Sequence, residues 1–149
     1  MPENAIAEAL TAAAGDVLET MFFSPVIGEA TPETSHSEPA IMASLRFSGG
    51  RSGSFAVRVS AGAADTIAAN FLGEETDAPE PGQVRDVVCE LANMICGSVL
   101  SRLDREAHFD LQHPELMETC SEPPPGSVCR FFELQEGQVA LCLQLDSAV

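Results

Sequence analysis

The sequence predicts an α+β fold of two layers, an antiparallel sheet packed against an N-terminal helix and one long helix. Three observations predict it. Two pairs of short apolar or alternating segments are each joined by a glycine-containing turn, the mark of β-hairpins. A segment near the N-terminus carries apolar residues at spacings of three and four. The stretch 82–105 shows the same period with apolar residues around well over half of its circumference. Strands that are neighbours in sequence and joined by short turns pair antiparallel. A chain of 149 residues suits one domain spanning 1–149, too short for a doubly wound enzyme with a cofactor domain.

In chain order, residues 4–23 form the first helix, with Ile6, Leu10, Ala13, Val17 and Met21 on its apolar side. Asn4 is its expected N-cap, and Pro25 stops it. The polar, proline-containing stretch 31–39 is a loop. Strands at 41–48 and 53–60 enclose the glycine-rich turn. That turn lacks the Lys and Ser/Thr of a P-loop and joins two strands, so it needs no phosphate-binding explanation. A short helix over 61–72 ends at Gly73, a C-terminal cap. An acidic linker leads to the long helix at 82–105, and residues 107–114 are extended. After the loop SEPPPG, a second hairpin turns around Glu136–Gly137.

Composition narrows the function. The net charge is −16, and all seven basic residues are arginine. Nucleic acid and anionic membrane surfaces both demand clustered cations, so neither is an expected partner. Trp and Tyr are absent, which removes the usual platforms for stacking bases or sugars. The five cysteines, Cys89, Cys96, Cys120, Cys129 and Cys142, are odd in number and contain no Cys-x-x-Cys. Neither a disulfide framework nor a zinc site fits that spacing, and reduced, mostly buried thiols are expected. The first residues lack a basic start and a long apolar run, so a cytoplasmic location is expected.

The long helix carries the chemistry. With about 100° per residue, Val84, Val88, Leu91, Ile95 and Val99 fall together, and Cys89, Ala92, Cys96, Leu100 and Leu103 widen that side. The remaining stripe is narrow and holds Asp86, Glu90, Asn93, Gly97, Ser101 and Asp104. Glu90 and Asn93 stand at i, i+3 and project together. A carboxylate pairs with a cation or takes a proton. A carboxamide donates and accepts at once, so it can orient a water without deprotonating it. Gly97 costs the helix about 1 kcal/mol against alanine and leaves room for another backbone to approach. By periodicity alone, such a stripe reads as a solvated face well ahead of a catalytic one.

The longer string, DVVCELANMICGSVLSRL, resembles the signature helix of the CheC/CheX/FliY phosphatases of bacterial chemotaxis, most of all the single-site CheX type. The family pattern of Glu, two residues, Asn, an apolar pair, a small residue and Gly is matched by Glu90 through Gly97. Cys96 stands where alanine is common. The resemblance implies the layered CheC/CheX architecture with its internal pseudo-repeat. Aligning GDVLETMFFS with VCELANMICG sets Met21 against Met94, Ser24 against Gly97, Val17 against Glu90 and Thr20 against Asn93. The first copy then lacks both polar groups, leaving one site per chain. The implied activity is dephosphorylation of the aspartyl-phosphate of a CheY-like response regulator. Asn93 would position the attacking water and Glu90 would contact the regulator's lysine. Asp86, Met94 and Gly97 are the further candidate partner contacts. The Mg2+ would come from the regulator, with no cofactor of the chain's own. A homodimer built through edge strands is implied as well.

Other constellations are weaker. His108, His113 and Asp110 are irregularly spaced for a metal site and read as surface strand and loop. Cys89 and Cys96 share a helix, and Cys120 and Cys129 bracket the proline-rich loop, without a redox pattern in either pair. The alternative to a phosphatase is a docking or dimerisation module of the same fold whose Glu–Asn pair is idle.

Overall fold

A computed structural model describes residues 3–30, 39–73, 79–117 and 125–146. The expected loop at 31–38, the centre of the acidic linker, Cys120 and the start of the proline-rich loop lie outside them. Among the described residues, three helices cover one face of a seven-stranded antiparallel sheet. The α+β expectation holds.

Helix α1 spans Glu3–Phe22 and buries Ile6, Leu10, Ala13, Val17, Leu18 and Phe22. Asn4 lies inside the first turn rather than at the cap, because the helix begins one residue earlier. It ends through Phe23 in the left-handed region (φ +52), and the Ser24 N–H reaches back to the Leu18 carbonyl at 2.9 Å. Strand β1, Gly28–Glu29, is too short to carry a sequence period. It pairs with the far hairpin.

Strands β2 (Ala40–Gly49) and β3 (Gly53–Ser60) form the first hairpin. Ala43, Leu45, Phe47, Phe55, Val57 and Val59 point to the helices, and the alternate residues point away. Helix α2, Ala61–Leu72, follows at once and stops at Gly73, whose φ of +71 and N–H bond to the Ala69 carbonyl make the expected cap. Helix α3 spans Pro81–Leu103. Pro81 occupies the first turn, where its missing N–H costs nothing, and the Glu80 N–H donates to Gln83 Oε1 at 2.9 Å. The helix ends before residue 105 because Asp104 is extended (φ −150). There its carboxylate accepts the N–H groups of Glu106 and Ala107.

The segment read as one extended stretch is two strands, β4 (Phe109–Leu111) and β5 (Glu115–Met117), both paired to the outer edge of β2. From Phe47 to Ser44 β2 advances three residues, while the facing chain advances four, from Leu111 to Glu115. The extra residue is a bulge. Its physical cause is Pro114, which has no N–H to give to a ladder. The bulge resets the alternation, so that Leu116 rather than Glu115 faces Ala43 on the helix side.

Strands β6 (Val128–Leu134) and β7 (Gly137–Leu145) complete the sheet, in the order β1-β6-β7-β3-β2-β4. Their turn is Gln135–Glu136, one residue earlier than expected. That register sets Cys129 opposite Cys142 at a Cα separation of 4.2 Å, and the two form a disulfide. The expectation of reduced thiols is therefore corrected for this pair. Their separation of 13 residues hides a juxtaposition that only the hairpin register creates. Cys96 is buried and free.

Between sheet and helices lies the core, with Leu10, Leu18, Phe22, Phe47, Phe55, Ile67, Leu91, Ile95, Phe132 and Leu141 almost wholly enclosed. Asp16 and Arg102 join α1 to α3 at the surface, 3.3 Å apart. None of the helices among the described residues is long and apolar enough to cross a membrane.

Candidate functional site

Helix α3 buries the side its periodicity selects. Val84, Val88, Leu91, Ala92, Ile95, Cys96, Val99 and Leu100 are all buried. Asp86, Glu90 and Ser101 are exposed, and Asn93 and Gly97 are half-buried. The stripe is held outward because three sides of the helix are engaged by α1, α2 and the sheet.

On one flank of that stripe lies an open groove of about 500 Å³. Asp86, Cys89, Glu90 and Asn93 form its helical wall, and Leu111, Gln112, His113 and Pro114 form the other. The second wall is the β4–β5 bulge. Its backbone is fixed where the Gln112 N–H donates to the Arg46 carbonyl at 2.9 Å, and Pro114 is buried beneath. A rigid helix thus presents the pair, and a pinned irregular strand faces it.

Neither Glu90 nor Asn93 has a side-chain partner among the described residues. Among the described residues, their side-chain hydrogen-bonding capacity is unspent. Asp86 stands in the same wall one turn before Glu90. Met94 packs partly against the core, next to Asn93 but turned from the groove. Gly97 lies one turn further on, and a Cβ added there meets nothing within 4 Å. The fold itself therefore has no steric need for glycine at that position.

Cys89 lines the groove instead of sitting wholly in the core. Its thiol is raised above the ordinary value by burial and, secondarily, by the neighbouring Asp86 carboxylate. Burial alone pushes Cys96 up to about 12. Both thiols stay protonated at neutral pH, which disfavours a nucleophilic role.

Reasoning from sequence missed the second wall. Gln112, His113 and Pro114 carry no motif, and the only signal was a proline interrupting an extended run. His108 pairs with Asp110 at 3.2 Å on the surface, away from the groove lining. His113 enters the groove without either of them. Among the described residues no three of His, Cys, Asp and Glu come together to hold a metal. At the positions of α1 aligned with Glu90 and Asn93, Val17 is buried and the exposed Thr20 hydroxyl donates to Asp16.

The model of a family described as chemotaxis phosphatase CheX matches residues 41–123, more than half of the chain and the whole of α3. The chain belongs to the CheX family. No curated protein matches the sequence. Among solved structures, the chain is similar to the chemotaxis protein CheX of Vibrio vulnificus, with 21% identity, a TM-score of 0.78 and coverage of 98% of this chain and 99% of that one. It is also similar to the CheX of Desulfovibrio desulfuricans, with 21% identity, a TM-score of 0.76 and coverage of 95% and 99%. A third is the CheX–CheY–BeF3–Mg2+ complex from Borrelia burgdorferi, with 20% identity, a TM-score of 0.71 and coverage of 95% and 98%. These likenesses extend the CheX fold over almost the entire chain, including α1, which the family model does not reach.

Proposed function

We propose that this CheX-family chain dephosphorylates the aspartyl-phosphate of a CheY-like response regulator, using Glu90 and Asn93. The observation that carries the reading is the unspent pair. A carboxylate and a carboxamide share one stripe of a largely buried helix, border an open groove and have no side-chain partner among the described residues.

A groove walled by a rigid helix suits a partner protein that brings its own reacting group. Asn93 enters the regulator's phosphorylation site. Its Oδ1 accepts from the attacking water and its Nδ2 donates to a phosphoryl oxygen or a neighbouring acceptor. The water's oxygen bonds to phosphorus as the bond to the aspartyl oxygen breaks, releasing phosphate and regenerating the carboxylate. The protein's contribution is positioning rather than proton transfer. Glu90 receives the regulator's lysine and holds the register, with Asp86 adding negative charge alongside. Gly97, and the rim of Met94 that the core leaves uncovered, lie beneath the docked partner. The magnesium ion comes with the regulator, and this chain supplies no ligand to it. A homodimer formed by pairing sheet edges belongs to the same proposal. The free edges among the described residues are β1 and the interrupted β4–β5 side.

The experiment is decay of the acyl phosphate on each receiver domain of the same genome, with and without the protein. Wild type is expected to accelerate decay of at least one, and Asn93→Ala to lose on the order of a hundredfold. An Asn93→Ala protein as fast as wild type removes the catalytic claim. Binding without acceleration by wild type identifies a docking module instead.

A further inference from the structure

The exposed stripe of α3 has a second flank. Asp86 and Glu90 border a further groove, of about 330 Å³, completed by Phe71, Leu72, Gln83 and Val87. The two carboxylates are therefore a ridge with a groove on each side. The second groove is apolar where the first is polar. Phe71 and Leu72, the last residues of α2, are 38% and 39% exposed.

This groove is preformed. The Phe71 ring stacks on the buried Phe22 ring, with centroids 4.8 Å apart. Gln83 is tied to the start of α3 by the bond from the Glu80 N–H. The apolar surface continues past Phe22 to Phe23, which is 66% exposed. Asn70 holds Phe23 in place, with Nδ2 donating to its carbonyl at 3.3 Å. Large apolar side chains clustered beside charged ones, rather than scattered singly, mark an interaction surface.

We propose that this second groove is the part of the docking surface that selects the receiver. It seats an amphipathic segment of the regulator, apolar side chains on Phe71 and Leu72 and a basic side chain on Asp86. The inference rests on the receiver-phosphatase reading above. Two features point to this occupant. The first is charge. Two carboxylates and no base line the groove, Asp86 has no internal partner among the described residues, and the chain carries −16. The second is continuity. The ridge is one helix wide, about 10 Å, so a protein placing its phosphorylation site over Asn93 extends across Glu90 into this groove. One flank then performs the chemistry, and the other decides which regulator receives it.

The test measures affinity for each beryllofluoride-loaded receiver, together with KM for its phosphorylated form. Leu72→Ser is expected to weaken binding roughly tenfold and raise KM by the same factor. Leu72→Met, still apolar, restores affinity. Asp86→Asn weakens binding and flattens its dependence on salt. Asn93→Ala keeps its affinity while losing turnover, which separates the two flanks. If wild type binds and dephosphorylates a receiver but Leu72→Ser binds it equally well, the second groove is overturned and the phosphatase reading stands. If wild type neither binds nor dephosphorylates any receiver, both fall.

Discussion

Replacing Gly97 by alanine should raise the stability of the fold while lowering the proposed phosphatase activity. Gly97 lies within α3 at an ordinary helical φ, since it is not among the glycines with positive values. A Cβ built on it has no neighbour within 4 Å, so the substitution introduces no clash and fills no cavity. The intrinsic helix preference is then recovered in full, about 1 kcal/mol. For a chain of this size that raises Tm by about 2–4 °C. Activity moves the other way because the proposed partner occupies the space above the helix. One methyl forced into a close contact costs about 1–3 kcal/mol, or about five- to 150-fold in affinity. Thermal unfolding of the free protein and acyl-phosphate decay with a responsive receiver read the two effects separately. A fall in Tm would refute the view that the fold leaves this position open. Unchanged affinity and turnover would refute the view that a partner approaches there.

Other expectations are more local. Cys89 should alkylate slowly at neutral pH, because burial and Asp86 hold its thiol protonated, and faster as pH rises past its ordinary value of 9.0. A beryllofluoride-loaded receiver should protect it, and equal labelling by peptide mass mapping with and without the receiver would place the contact elsewhere. Cys96 should make stability fall on the alkaline side. From pH 9.0 the unfolded thiol ionises while the folded one keeps its proton up to about 12. The native state then binds more protons, so stability present below pH 9.0 is lost through that window, at most roughly 4 kcal/mol in all. Cys96→Ala should flatten this slope in denaturant titrations, and an unchanged slope would assign it to other groups. Arg102→Ala should cost less than about 1 kcal/mol, because Arg102 and Asp16 are 40% and 62% exposed. A larger loss in urea unfolding would mean the pair contributes through packing.

The legible parts of this chain were those with a period. The helices over 4–23, 61–72 and 82–105 and the two hairpins appear within a few residues of their expected limits. Each is amphipathic enough for local spacing to encode which side is buried. Asn4 was misplaced because cap residues are chosen by local geometry that varies by a residue or two. Strand β1 was missed because two residues carry no pattern, and its existence depends on β6 being alongside. The β4–β5 bulge was invisible for a related reason. A proline breaks a ladder only where there is a partner strand to break from.

The candidate site divides along the same line. Sequence alone placed Glu90, Asn93 and Gly97 on one face, because helical geometry is local and repeats every 3.6 residues. It could not tell a solvated stripe from the wall of a groove. That distinction belongs to the tertiary structure, which brings Gln112–Pro114 across from α3 and the end of α2 alongside it. It also pairs Cys129 with Cys142, through a register set by a turn between them. What determined these outcomes is contact between segments distant in the chain, and no periodicity within either segment records its neighbour.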